Sequence, residues 1–228
     1  MRNLISGYRK FREEVYPKHK EDFMSLARGQ KPRTLFITCS DSRIVPDLLL
    51  QTKPGELFIC RNAGNIVPAY GDHNGGVSAT IEYAVNALKV QDIVLCGHSD
   101  CGVMRGLLHP DRLAKFPIVT NWLLYGARAR AIVDEICGEG HSDFEKIMEL
   151  ARQNVLAQVD NLRTHPSVAA AIVKRGLQLH GWLYQIEDGE IFSWSVNDHT
   201  FVALDKVSIP ELEPAAAARA ASVETPIH

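Results

Sequence analysis

The sequence predicts an α/β fold: a mainly parallel central β-sheet flanked by helices and preceded by an N-terminal helical arm. Three observations carry this. Short apolar runs at 34–38, 56–60 and 92–96 alternate with stretches whose apolar residues recur at helical spacing, the pattern of strand–helix–strand units. The run Thr34-Leu35-Phe36-Ile37-Thr38 is apolar at nearly every position, as a strand buried on both faces of a parallel sheet must be. The first and third runs each end in a loop of chemistry-bearing residues, Cys39-Ser40-Asp41-Ser42-Arg43 and Cys96-Gly97-His98-Ser99-Asp100-Cys101-Gly102. In open α/β sheets ligands bind outside the carboxyl ends of the strands, so the topology alone brings these loops together.

In chain order, residues 3–29 read as the helical arm. Leu4, Tyr8, Phe11 and Val15 share a face, Pro17 breaks the helix, and Phe23, Leu26 and Ala27 continue the pattern in a second helix ended by Gly29. The arm packs either on its own domain or on a second subunit. Strand one spans 33–38, and Pro46 opens a short helix to Leu50. Pro54-Gly55 is a turn before strand two, 56–60, which runs into the polar loop Arg61-Asn62-Ala63-Gly64-Asn65. Gly75-Gly76 precedes a helix with the stripe Val77, Ile81, Ala84, Val85 and Leu88. Strand three covers 92–96, and a short helix covers 103–108. Residues 117–137 read as one helix with Ile118, Trp122, Tyr125, Ala129, Ile132 and Ile136 on its apolar side. Ser142-Asp143-Phe144-Glu145 is a capping box that starts a long helix to Leu162, with Ile147, Leu150, Val155 and Val159 as core. His165-Pro166 breaks it, and another helix runs from Ser167 to Arg175. Residues 177–186 and 190–196 form a hairpin turned at Glu187-Asp188-Gly189. The domain division is a helical arm at 1–30, an α/β unit at 31–207 that carries both chemistry-bearing loops, and a poorly ordered tail at 208–228.

Bulk properties exclude several classes. The 228 residues carry 25 basic and 27 acidic side chains, a net charge of −2, which points to neither nucleic acid nor an anionic membrane as partner. No run of about 18 apolar residues is present to span a membrane, and residues 1–7 lack the apolar core of a secretory signal. Five cysteines, an odd number, imply reduced thiols and a cytoplasmic setting.

Cys39, His98 and Cys101 supply two thiolates and one imidazole. That set suits zinc with a fourth position left open, as in catalytic sites. His98 and Cys101 are two residues apart in sequence, so a tight turn aims both at one ion, and Cys39 comes from another strand. Zinc with two thiolates and a neutral histidine has no net charge and needs help to acidify a bound water. Asp41 gives that help by accepting a hydrogen bond, and an Arg43 fork on its carboxylate holds it off the metal. Cys60, Cys96 and Cys137 read as small buried hydrophobes. His73, His109, His141, His165, His180 and His199 read as surface or packing residues without convergent partners.

With these residues in view, the chain resembles the beta-class carbonic anhydrases over roughly residues 3–205. The resemblance rests on C-S-D-S-R at 39–43, R-N-A-G-N at 61–65, G-G-V-S-A-T-I-E-Y-A-V at 75–85, C-G-H-S-D-C-G at 96–102 and H-G-W-L-Y at 180–184. It implies reversible hydration of carbon dioxide to bicarbonate and a proton, by attack of zinc-bound hydroxide. One zinc per chain is implied on Cys39, His98 and Cys101, with Asp41 and Arg43 as catalytic dyad. It further implies a small apolar substrate pocket lined by Gln30, Phe58, Ala63 and Tyr83, some from a partner subunit, with the Gly102 backbone N–H as a donor to substrate. The working unit implied by the resemblance is a homodimer or a larger homo-oligomer, expected to be cytoplasmic or inside a bacterial carbon-concentrating compartment. One subgroup of the family closes its site when bicarbonate binds a pocket of tryptophan, arginine and tyrosine. Here the tryptophan position holds Phe36, with Arg61 and Tyr184 kept, and the A-G-N and H-S-D-C-G wording resembles the plant-like, normally open subgroup. Ala87 stands where some plant-like members carry a proton-shuttling histidine. Relatives with the same ligands hydrolyse carbonyl sulfide or carbon disulfide, and the motifs do not separate these substrates. A purely structural zinc module is disfavoured because such sites are closed by four ligands. A dinucleotide site is disfavoured because no G-x-G-x-x-G follows a strand.

Overall fold

The computed structural model describes residues 1–72 and 75–207. The tail expected from Ser208 onward, and His73, lie outside the described residues. Six strands form one sheet in the order β2-β1-β3-β4-β5-β6. The strands are β1 (Thr34–Cys39), β2 (Leu57–Asn62), β3 (Asp92–His98), β4 (Gln178–Tyr184), β5 (Ile191–Ser195) and β6 (Thr200–Ala203). Pairs β1·β2, β1·β3 and β3·β4 are parallel, and β4·β5 and β5·β6 are antiparallel. The mainly parallel sheet and the closing hairpin therefore match the sequence reading. Strand β6, which the sequence reading does not assign, extends the sheet beyond that hairpin. From β1 the chain moves to one side to make β2 and to the other to make β3. This reversal opens a crevice at the carboxyl ends of β1 and β3.

Both faces of the central strands are covered. Leu35, Ile37, Ile93 and Leu95 pack with Ile81, Ala84 and Val85 of α4 (Gly76–Asn86) and with Val155 and Leu162 of α8 (Asp143–Thr164). On the opposite face Phe36, Val94 and Cys96 pack with Ile44, Tyr184 and the half-buried Trp182. Helix α8 comes unusually close to the sheet at two glycines. A Cβ on Gly97 of β3 would sit 2.8 Å from a Val155 methyl, and one on Gly181 of β4 would sit 2.9 Å from the other. The capping box of α8 is formed: Ser142 Oγ accepts from the Glu145 N–H, and Glu145 accepts from the Ser142 N–H at 2.7 Å.

Helix α3 (Pro46–Leu50) is as expected, and α5 (Gly102–Leu108) follows the second cysteine loop. The helix expected over 117–137 is instead α6 (Pro117–Leu123), a 3₁₀ turn (Leu124–Gly126) and α7 (Ala127–Ile136). Each 3₁₀ residue advances about 120° rather than about 100°, so the turn re-phases the apolar face. Leu123, Ala129 and Val133 are buried, whereas Ile118 and Ile136 are exposed. Helix α9 (Pro166–Arg175) ends on Gly176.

The arm begins with α1 (Arg2–Lys10). Pro17 does not break it outright: the chain passes through a π-helical segment (Phe11–Val15) and a 3₁₀ turn (Tyr16–His19) into α2 (Lys20–Leu26). Phe11, Tyr16 and Phe23 tie the two helices together, with ring centroids 5.5 to 6.1 Å apart. Within one chain, Leu4, Ile5, Tyr8 and Val15 are left exposed. No helix among the described residues is long and apolar enough to cross a membrane.

Candidate metal centre

The register of β1 against β3, with Thr38 opposite Cys96, brings the end of β1 beside the end of β3. Cys39 is the last residue of β1, His98 is the last of β3, and Cys101 immediately precedes α5. Their ligand atoms all lie within 4.8 Å of one another, and all three residues are buried. Cys39 Sγ and Cys101 Sγ are 4.0 Å apart. Two sulfurs bound at about 2.3 Å to a tetrahedral zinc are about 3.8 Å apart, so the pair fits with little movement.

The histidine is already set up as a ligand. His98 Nδ1 lies 2.8 Å from the Ser99 carbonyl oxygen, which places the proton on Nδ1 and the lone pair on Nε2. Nε2 is buried and has no hydrogen-bond partner. An orphan nitrogen at a fully buried position is costly unless something coordinates it. The loop behind His98 is braced, because Ser99 Oγ donates to Glu187 at 2.8 Å and accepts the Ile186 N–H at 3.0 Å.

The two thiols differ electrostatically. Cys39 is pulled down to about 4, chiefly by a hydrogen bond from Cys101, with help from His98 and the Gly64 and Asp41 backbone, against burial. Cys101 is pushed well up by that same contact and by burial. One thiolate therefore forms readily. Two at once, buried and 4.0 Å apart, call for a cation between them. The donor set, its spacing and the orphan Nε2 together fit zinc.

Asp41 and Arg43 form the fork expected of them. Arg43 Nε donates to Asp41 Oδ1 at 3.0 Å, and an Arg43 NH2 nitrogen donates to Oδ2 at 2.8 Å. The Arg43 backbone N–H adds a third bond to Oδ1 at 2.9 Å. This arginine holds the Asp41 carboxyl below the usual carboxylate range. Asp41 Oδ2 stands 3.9 Å from His98 Nε2, beside the three ligand atoms but outside hydrogen-bond range.

Several contributors are not evident from motif spacing. Arg61 donates to the carbonyls of Cys39, Asp41 and Ile44 at 3.1, 2.7 and 2.8 Å, pinning the whole first loop. Arg43 also reaches Asp100, through Oδ2 at 3.3 Å and the carbonyl at 3.1 Å, and Arg105 pairs with the same carboxylate. Asp100 and Arg105 stand five apart around the second loop, a spacing that hints at the pair. Arg61, near the end of β2, was legible only as part of the R-N-A-G-N stretch, not as a brace for the first loop.

The expected pocket residues do not all converge within one chain. Gly102 opens α5 directly after Cys101. Ala63 follows β2 near the cluster, and its carbonyl accepts the Trp122 indole N–H at 2.8 Å. Phe58 is four residues back along β2, opposite Leu35, whereas Asn62 lies opposite Cys39. That is about 13 Å from the site along the strand. It packs on Tyr83 with ring centroids 5.9 Å apart, and Gln30 is exposed between α2 and β1. Cys60 and Cys96 are buried as expected, and burial raises Cys60 and pushes Cys96 up to about 12, whereas Cys137 is only partly buried at the end of α7. Two histidines read as partnerless do have carboxylate partners, His109 with Asp143 at 2.8 Å and His180 with Asp92 at 2.9 Å. These lie away from the cluster and follow from tertiary packing over long sequence separations.

A buried Cys–His–Cys trio at the switch point of a mainly parallel sheet, beside an Asp–Arg fork, is the outline of a metal-assisted α/β enzyme. The carbonic anhydrase family profile matches residues 34–191. A carbonic anhydrase of Pseudomonas aeruginosa is 50% identical over 204 residues, covering 90% of this chain and 92% of the relative. The solved beta-carbonic anhydrase CcaA superposes with a TM-score of 0.86 at 43% identity, covering 89% of this chain and 98% of that one. Tetrameric beta-carbonic anhydrases of Sordaria macrospora reach a TM-score of 0.68 at 36% identity, with 84% and 92% of the two chains covered. The chain belongs to the carbonic anhydrase family, in its beta class, and is an enzyme of the kind that hydrates carbon dioxide.

Proposed function

We propose that this chain interconverts carbon dioxide and bicarbonate using one zinc ion held by Cys39 Sγ, His98 Nε2 and Cys101 Sγ. The observation that carries the reading is the buried, partnerless Nε2 of His98 facing two thiols, with the Asp41 carboxylate 3.9 Å away. Zinc at such a site is a Lewis acid that lowers the pKa of water and so supplies hydroxide as nucleophile, chemistry for which carbonic anhydrase is the standing example. The chain's own residues do the rest. Asp41, kept ionised by Arg43, accepts a hydrogen bond from the attacking hydroxyl and orients its lone pair toward the substrate carbon. The Arg43 fork occupies both carboxylate oxygens, which restrains Asp41 from taking the fourth coordination position. The new C–O bond makes bicarbonate, and the proton released in regenerating the nucleophile leaves to solvent or buffer, since Ala87 offers no shuttle.

We place the substrate pocket between subunits of a homo-oligomer. Gly102 and Ala63 belong to the cluster's own chain, and Gln30, Phe58 and Tyr83 serve the site of the neighbouring subunit. Three features support this: the distance of Phe58 from its own Cys39, the exposed apolar face of the arm, and the tetrameric state of the Sordaria relatives. The site is the normally open type. Phe36 is buried edge-on against Trp182, with ring centroids 6.2 Å apart, and Arg61 spends its donors on backbone carbonyls. Both features leave no evident bicarbonate switch. Five free thiols accord with a cytoplasmic setting.

Zinc-edge X-ray absorption at neutral pH tests the ligand set. The reading predicts two sulfur neighbours at about 2.3 Å and two lighter ones near 2.0 Å. A spectrum without sulfur would overturn it. Parallel assays on carbon dioxide, carbonyl sulfide and carbon disulfide separate the substrates, with carbon dioxide expected to be turned over fastest.

A further inference from the structure

The loop after β2 approaches the first metal ligand through one peptide group. The Gly64 N–H points at Cys39 Sγ, 3.4 Å away. The carbonyl of that same peptide group belongs to Ala63, and it accepts the indole N–H of Trp122 at 2.8 Å. Trp122 sits on α6, 59 residues further along the chain, with its ring edge-on to Tyr125 at 5.5 Å. The next carbonyl, Gly64 O, accepts from Asn154 Nδ2 of α8 at 3.0 Å. Asn154 is itself fixed by Gln158, whose Nε2 donates to Asn154 Oδ1 at 3.0 Å and whose Oε1 accepts the Val67 N–H at 2.9 Å. Asn154 and Gln158 are buried. Two helices thus grip the loop on either side of Gly64.

Gly64 has a reason to be held this way. Its φ of 79° is left-handed, and a Cβ there would lie 2.6 Å from a Val103 methyl. The backbone comes this close to the ligand only because there is no side chain. An N–H aimed at a metal thiolate draws charge from the sulfur and orients it, the kind of outer contact that tunes a metal. A peptide group whose carbonyl is already hydrogen-bonded is the better donor through its N–H, because the bonds polarise one another.

We infer that Trp122 is a positioning residue for the metal centre: its indole N–H locks and polarises the Ala63–Gly64 peptide group that hydrogen-bonds the Cys39 sulfur, with Asn154 holding the far side of Gly64. Trp122 touches neither metal nor substrate and acts through the peptide. The inference rests on Cys39 being a metal ligand, as proposed above.

The test uses full-length protein loaded with cadmium-113 and labelled with 15N-glycine. A through-hydrogen-bond coupling between the Gly64 amide proton and cadmium is expected in the unchanged protein. It should vanish or shrink at least twofold in Trp122→Phe, which keeps an aromatic ring and deletes the N–H. In the cobalt(II)-substituted protein, Trp122→Phe should move the thiolate-to-metal charge-transfer band to longer wavelength, because a sulfur with a weaker hydrogen bond gives up its electron more easily. Carbon dioxide hydration should fall about tenfold with full metal occupancy. A wild-type protein that binds cadmium through Cys39 yet shows no Gly64 coupling overturns the inference and leaves the zinc reading standing. So does a Trp122→Phe protein with unchanged coupling and band. Cadmium bound without Cys39 sinks both. Should Trp122→Phe fail to fold, the wild-type coupling still decides whether the N–H···S bond exists. Asn154→Ser, which shortens the other grip, then supplies the variant arm with the same expected loss.

Discussion

Both carboxylate oxygens of Asp41 are taken by Arg43, and that occupancy decides what the residue does. A free carboxylate next to an open metal position becomes a ligand, whereas a forked one stays a hydrogen-bond acceptor. Asp41→Asn should therefore lower carbon dioxide hydration by about 10- to 100-fold without loss of zinc, read by stopped-flow kinetics and metal analysis of the same samples. The pH dependence of the pair has a definite sign. Arginine contacts depress Asp41 (Arg43) and Asp100 (Arg105 first, then Arg43), so their stabilisation is present in full above the ordinary aspartate value of about 3.9 and fades as pH falls below it. In metal-stripped protein, acid unfolding followed by tryptophan fluorescence should accordingly begin at a higher pH in Arg43→Leu than in wild type. Motif reading reached Cys39, Asp41, Arg43, His98 and Cys101 because they lie in two short local stretches. It did not reach the bracing roles of Arg61, Trp122 or Asn154. Each acts on backbone carbonyls 17 to 90 residues away, and such bonds leave no spacing in the sequence.

Helix α8 is the element that sets the depth of the site. It lies against β3 and β4 over Gly97 and Gly181, and from there Asn154 reaches the loop beside Cys39. Gly97→Ala would drive a methyl into Val155, so it should cost about 1–3 kcal/mol in urea unfolding. Val155→Ala in the same chain should recover part of that loss. A non-additive double-mutant cycle is the expected signature. Ser142→Ala removes the capping box at the start of the same helix and should cost about 1 kcal/mol. For a domain of this size that corresponds to a fall in Tm of roughly 2–4 °C by calorimetry. Long amphipathic helices and buried strands were legible because their periodicity is sustained. The helical extent of 117–137 was legible too, but not its apolar face, because the phase shift sits in a three-residue 3₁₀ turn that composition does not announce. Strand β6 escaped for a similar reason: four residues carry too short an alternation.

On the scale of the whole molecule, a single chain carries the proposed metal ligands but leaves Phe58 and Tyr83 away from them and the arm's apolar face exposed. The proposed homo-oligomer would answer both. Deleting residues 1–30 should lower the mass seen by light scattering toward that of one chain, and reduce hydration even where zinc is retained. The parallel topology that joins Cys39 to His98 was readable from strand order, whereas how chains join is encoded in surface shape and not in any motif. The central claim is that zinc on Cys39, His98 and Cys101 drives carbon dioxide hydration. The most direct measurement is stopped-flow hydration by zinc-loaded protein, from neutral to alkaline pH, beside metal-stripped protein and Asp41→Asn. Turnover that rises with pH, disappears on stripping, returns with zinc and collapses in Asp41→Asn is the predicted result. Fully zinc-loaded protein with no turnover at any pH, or stripped protein that hydrates carbon dioxide as fast, would contradict it.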